Sequence, residues 1–136
     1  MAFNSVKRTV QHEFGDFIEN GLQLALVTCI DFTASNGSPS SPTSYHYSNS
    51  YKKSQYEEAM GEVLSILMDY DYDKLVPCYG FGAQVAHPLF NTYGKVSHCF
   101  PLNANQHNAD IYGKANIIKA YKEILGHMKF SGPTKF

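Results

Sequence analysis

The chain has 136 residues, one domain's worth or slightly less, with 43% apolar residues, ten Tyr and nine Phe but no Trp. A formal charge of −1 and a pI near 6.6 give no electrostatic footprint for nucleic acid, and no basic run marks a general attraction to acidic membranes. The longest apolar run is far short of a membrane span, and the N-terminus MAFNSVKRTVQHEF lacks the apolar core of a secretory signal.

Residues 1–13 are mixed and polar and read as a lead-in to a domain covering 14–136. Phe14 to Ile18 predicts a short helical turn that tucks Phe17 and Ile18 under a sheet, with Gly21 opening into the next element. Leu22 to Ile30, LQLALVTCI, is nearly all apolar without alternation, which predicts a strand buried on both faces at the centre of a parallel sheet. It ends in Asp31-Phe32-Thr33-Ala34-Ser35, a D-x-T-x-S pattern, followed by the turn formers Asn36 and Gly37. In open α/β sheets, ligands bind at the loop after the carboxyl end of a central strand. Asp31, Thr33 and Ser35 bring one carboxylate and two hydroxyls there, hard oxygen donors that suit Mg²⁺, Mn²⁺ or Ca²⁺ rather than zinc or copper. The competing reading is a turn or helix cap made by Asp31. An aspartyl-nucleophile phosphatase would want a second Asp where Thr33 stands, and no glycine pattern around Gly37 cradles phosphate.

Residues 36–53 form a long loop dense in Ser, Pro and Asn. Lying next to the candidate cation loop, it is placed to wall the site, with Asn36, Ser38 and Ser40 as candidate partner contacts. Ser54 with Glu57 makes a capping box for a helix from about Gln55 to Tyr70, with Tyr56, Met60, Val63, Leu67 and Tyr70 on its packing face. Asp69, Asp71 and Asp73 lack the later residues of a calcium loop and read as a solvated helix–strand connection. Leu75 to Phe81 is a second strand, with an irregularity expected at Pro77. A loop then leads to a third strand, Lys95 to Leu102, antiparallel to the second. Asp110 to Met128 predicts an amphipathic helix with Ile117, Tyr121, Ile124 and Met128 on one stripe, ended by Gly126 and Gly132-Pro133. Cys29, Cys78 and Cys99 read as reduced core thiols of a cytosolic protein, and the spacing of His87, His98, Cys99 and His107 fits no zinc pairing.

The segment IDFTASNGSPSSPTSYHY, together with Asp71-Tyr72-Asp73-Lys74-Leu75, Gly80-Phe81-Gly82-Ala83, Val96-Ser97-His98, Phe100-Pro101-Leu102-Asn103 and Gly132-Pro133-Thr134, resembles the copine family, whose core is a von Willebrand factor A-type domain. The resemblance covers nearly the whole chain in order. It implies part of a doubly wound, mostly parallel α/β sheet with flanking helices and the third strand antiparallel at the edge. It also implies a metal-ion-dependent adhesion site in which Asp31, Thr33 and Ser35 match the first loop and Thr134 the second. The Asp of the third loop has no match.

The function so implied is a non-enzymatic binding module. Its divalent cation keeps a position open for an acidic side chain of a protein partner. Calcium-dependent phospholipid binding is attributed in that family chiefly to C2 domains that this chain lacks, so membrane association is implied only through a longer parent. The location implied is cytoplasmic, peripheral at membranes. Two rivals stand beside this reading: a hydrolase or phosphotransferase using Asp31, and a structural element of a larger assembly with a vestigial metal site. Three strands fall short of a six-stranded A-type sheet. The expectation is therefore a domain truncated before its later strands, with an unpaired edge along Leu22 to Ile30 and the rest of the sheet supplied by a longer parent or by association with another chain.

Overall fold

The computed structural model describes residues 11–133. A short helix α1 (Phe14–Glu19) precedes strand β1 (Thr28–Asp31), which runs into a 3₁₀ turn at Ala34–Asn36. Helix α2 (Gln55–Leu67) tightens into a second 3₁₀ turn at Met68–Tyr70. Strands β2 (Leu75–Phe81), β3 (Ala83–His87), β4 (Phe90–Asn91), β5 (Phe100–Pro101) and β6 (Asp110–Tyr112) follow, then helix α3 (Gly113–Leu125) and strand β7 (Met128–Phe130).

β2 is the strand on which the others hang. On one edge it pairs parallel with β1, from Thr28↔Cys78 to Asp31↔Phe81. Its other edge is shared between β6, opposite Leu75–Pro77, and β5, opposite Tyr79–Gly80, both antiparallel. A second sheet, β4-β3-β7, is antiparallel throughout. The two sheets join where Gly82 N–H donates to Ser97 O at 2.8 Å and Ser97 N–H to Ala83 O at 2.9 Å.

The architecture is thus mixed α/β, with the parallel β1–β2 pair that was expected; of the third strand expected over Lys95 to Leu102 only Phe100–Pro101 forms, antiparallel to β2, and the stretch read as a loop before it holds β3 and β4. The architecture is not mostly parallel: among the described residues only the β1–β2 ladder is. A parallel pair needs a crossover of a dozen or more residues, and α2 supplies one. Between β2 and β6 the connections are short and hold no helix, while α3 separates β6 from β7.

The first strand departs most from expectation. It is four residues long, and Leu22 and Val27 are 43% and 64% exposed. The reason lies in β2. Cys78 N–H reaches Ala109 O on the β6 side, so the amide that Pro77 lacks is the one that would have met residue 26 on the β1 side. The ladder stops at Thr28, and Leu24 N–H turns to Tyr70 O instead. Burial on both faces fails as well. Helices α2 and α3 pack on each other over the face carrying Ile30, Val76 and Cys78, while Cys29 and Leu75 on the opposite face are exposed. Among the described residues β1 pairs only with β2, which leaves its other edge open as anticipated.

The capping box at Ser54 and Glu57 forms as expected, with Ser54 N–H donating to Glu57 Oε2 at 2.8 Å and Glu57 N–H to Ser54 Oγ at 3.1 Å. The buried row of α2 is Met60 and Leu64, continued by Met68, while Val63 is half exposed. On α3, Ile117, Tyr121 and Ile124 are buried as predicted. The ends of the predicted helix are strand instead: Asp110–Tyr112 pairs with β2 and Met128–Phe130 with β3. Phe17 does not tuck under the sheet but stays 48% exposed.

Two further expectations are corrected. Asp71 is not solvated: it is buried, with Oδ2 lacking a hydrogen-bond partner among the described residues. Burial first, then the neighbouring Asp73, pushes its carboxyl above the usual range. Cys29 and Cys99 are exposed, so only Cys78 is a core thiol, and burial pushes it up to about 12. No helix among the described residues is long and apolar enough to cross a membrane.

Candidate metal centre

At the carboxyl end of β1 the chain must leave the sheet within a few residues. Phe32 N–H makes the last bond to β2, at 2.9 Å to Phe81 O. Asp31 then closes an Asx turn, its Oδ1 accepting Thr33 N–H at 2.8 Å. The turn alternative raised by the sequence is therefore real, and it uses only one of the two carboxylate oxygens. Thr33 starts the 3₁₀ turn, which brings Thr33 Oγ1 and Ser35 Oγ to 3.2 Å.

That spacing tests whether the donor set fits a hard cation. Neighbouring oxygens on an octahedral ion lie roughly 3.0 Å apart for the bonds of about 2.1 Å that Mg²⁺ makes, and roughly 3.4 Å apart for Ca²⁺ bonds of about 2.4 Å. The two hydroxyls, which hydrogen-bond to each other, fall within this range, so their spacing is compatible with a hard cation. Among the described residues no group of three or more His, Cys, Asp or Glu is placed to hold a metal, which leaves no zinc-type cluster. Thr134 lies outside the described residues.

The loop is held from inside. Asn36, a candidate partner contact from sequence, is buried, and its side chain works inward. Nδ2 donates to Asp31 O, Thr33 O and Thr33 Oγ1, each at 3.3 Å, while Oδ1 accepts Tyr56 O–H at 3.0 Å. Ser38 and Ser40 stay at the surface, bonded to each other at 2.9 Å. Gly82 backs the site from the junction between β2 and β3, at a φ of +82°, with Thr33 lying where a side chain would be.

The polar loop also delivers a buried histidine. His46 is 1% exposed, with its ring parallel to Tyr56 (centroids 4.0 Å apart, 6° between planes) and stacked on Phe32. Its Nε2 lies 2.9 Å from Asp31 O and its Nδ1 2.7 Å from Tyr121 Oη. A carbonyl only accepts, so Nε2 carries the hydrogen and Nδ1 accepts from Tyr121. Burial pulls the His46 pKa down to about 4, against the smaller opposing pull of the Asp31 carbonyl and charge, so the ring is neutral. Burial, then the charges of Asp31 and Tyr45, pushes the Tyr56 hydroxyl up to about 12 and keeps it a donor.

A copine family model matches residues 44–136, more than half of the chain. The chain belongs to the copine family. This makes it a copine-type module, of a family of binding domains rather than enzymes. The matched span begins after the Asp31–Ser35 loop and takes in His46, Tyr56, Gly82 and Tyr121, the residues that back and brace that loop.

Sequence reasoning placed Tyr56 and Tyr121 on buried helix stripes and gave them no polar role. A fully buried Tyr must find a partner for its hydroxyl, which was the available signal. His46 sits in a polar run, and nothing in its neighbours announces burial.

Proposed function

We propose that this copine module is a von Willebrand factor A-type domain whose Asp31–Ser35 loop takes a divalent cation, Mg²⁺, Mn²⁺ or Ca²⁺, to recognise an acidic side chain of a protein partner. The observation that carries this reading is the 3.2 Å spacing of the Thr33 and Ser35 hydroxyls, in a loop already tightened by the Asp31 turn. Thr134 would add a second-loop hydroxyl. When bound, the cation supplies Lewis acidity that one carboxylate leaves under-compensated, so a carboxylate from outside is attracted to its open position. The chain's own residues divide the work. Asp31 and the buried Thr33 form the floor, exposed Ser35 forms the rim, and exposed Ser38 and Ser40 border the approach. Phospholipid association would come through a longer parent, in a cytoplasmic protein peripheral at membranes.

Calorimetric titration with MgCl₂, MnCl₂ and CaCl₂ tests the reading. Weak binding is expected, with Kd on the order of 10⁻⁴ to 10⁻³ M for so few charged ligands. Asp31→Ala, and Thr33→Ala combined with Ser35→Ala, should abolish the heat while leaving the circular dichroism unchanged. Equal affinity in these variants would move the site elsewhere. No binding by the parent chain would favour a structural element with a vestigial site.

A further inference from the structure

In a trans peptide the C=O of one residue and the N–H of the next point in opposite directions. Phe32 N–H points into the sheet, at Phe81 O, so Asp31 C=O points out from the edge where β1 has no neighbouring strand among the described residues. A part-buried carbonyl without a strand partner is satisfied by other donors. It gets two from side chains, His46 Nε2–H at 2.9 Å and, at a longer 3.3 Å, Asn36 Nδ2.

The stronger donor is itself aimed. Tyr121 of α3 donates its hydroxyl to Nδ1 at 2.7 Å, which fixes the hydrogen on Nε2. Ser54, the cap of α2, lies 3.4 Å from the same hydroxyl. Tyr56 and Phe32 stack on the ring and prevent its rotation. Both long helices therefore act on one carbonyl through one imidazole. For packing alone a phenyl ring would serve at this position; the two nitrogens are what the surroundings use.

We infer that His46 is a positioning residue for the cation loop: aimed by Tyr121, its Nε2–H replaces a missing strand at Asp31 C=O and holds the Asp31–Asn36 turn in the shape that gathers the oxygens of Asp31, Thr33 and Ser35. This inference rests on the cation reading for its purpose but not for its geometry. It separates His46 from the ligands themselves, since the ring's hydrogen bond to the loop goes to the Asp31 carbonyl and not to the side-chain oxygens of Asp31, Thr33 or Ser35.

The test compares two replacements. His46→Gln keeps a donor near the Nε2 position, whereas His46→Phe with Tyr121→Phe keeps ring packing and removes both polar ends. Two readouts apply to each: the Mn²⁺ dissociation constant, and the exchange rate of the Thr33 amide measured without metal. His46→Gln should stay within about threefold of the parent in both, because the donor is retained. The double variant should weaken Mn²⁺ binding about tenfold or more and speed Thr33 exchange by a similar factor, the cost of one buried hydrogen bond. A double variant that matches the parent in both readouts overturns the inference. Should that variant fail to fold, Tyr121→Phe alone removes the aiming hydroxyl and must still speed Thr33 exchange. If the parent takes up no Mn²⁺, the cation reading fails, and Thr33 exchange alone decides the role of His46.

Discussion

Replacing Gly82 with Ala is expected to damage the fold and the cation loop together. The structure separates two contributions. At φ +82° an L-residue incurs left-handed strain of roughly 1–2 kcal/mol. The added methyl would also stand 3.1 Å from Thr33 Cα and N, backbone atoms that cannot swing aside, and crowding of this kind costs roughly 1–3 kcal/mol. Together they predict a loss of about 2–5 kcal/mol, a fall in Tm on the order of 10 °C or more for a chain of this size. Two other glycines supply the controls. Gly94, at φ +76°, has nothing within 4 Å, so Gly94→Ala isolates the strain. Gly80 has no positive φ, yet its methyl would meet the rings of Phe100 and Phe32 at 2.6 Å, so Gly80→Ala isolates the crowding. Thermal melts followed by circular dichroism rank the three. Gly82→Ala should be the least stable and should also weaken Mn²⁺ binding, because the atoms it displaces belong to Thr33. If Gly82→Ala melts within about 2 °C of Gly94→Ala, the close approach of Gly82 to the cation loop is refuted.

Acid and neutral stability should respond in opposite senses to two buried carboxylates. The Asp71 pKa is raised, so its contribution is unfavourable once pH climbs past the unfolded value of about 3.9. Asp71→Asn should therefore stabilise near pH 7, with the gain vanishing below about pH 3.5. Burial alone would raise Glu57, but hydrogen bonds from Ser54 and Lys122 outweigh it and hold the carboxyl below its usual range. Its stabilising effect is present above the unfolded value of about 4.3 and is lost as pH falls through the folded value, so Glu57→Gln should destabilise at pH 7 and not at pH 3. Urea melts at pH 3, 5 and 7 check both, and a pH-independent offset in either variant would contradict the assignment. Native alkylation with iodoacetamide should label Cys29 and Cys99 and spare Cys78 until the chain is denatured. Equal labelling of all three would mean that the core opens readily.

Local rules were legible wherever a few neighbouring residues decide the outcome. Ser54 and Glu57 announce the start of α2 because both partners of the box are in the text. The stripe Ile117, Tyr121, Ile124 shows which way α3 faces. The D-x-T-x-S pattern marks the turn that gathers Thr33 and Ser35, because an Asx turn is itself a local bond. What stayed hidden depends on distant partners. The apolar letters of Leu22 to Val27 do not say whether anything covers them, and the ladder that would have ordered them fails at Pro77, fifty positions on. β3, β6 and β7 are three to five residues long and exist through pairing rather than propensity. His46 reads as a loop residue until Tyr121, from the far helix, is placed beside it.

The pairing of β2 has a consequence for the order in which the molecule assembles. Gly80 meets Phe100 and Val76 meets Ile111, contacts that close short stretches of chain, whereas Phe81 meets Asp31 only after the whole of the polar loop and α2 has been enclosed. Closing that larger ring costs about 0.8 kcal/mol more than the Gly80–Phe100 ring. The antiparallel half is thus expected to form first, with β1 docking late onto a surface already made. The cation loop rides on the end of β1, so it is the last part to be built and the first to come away. Whatever fills that loop would act as a latch on the docked strand, felt less in how fast the protein folds than in how slowly it lets go.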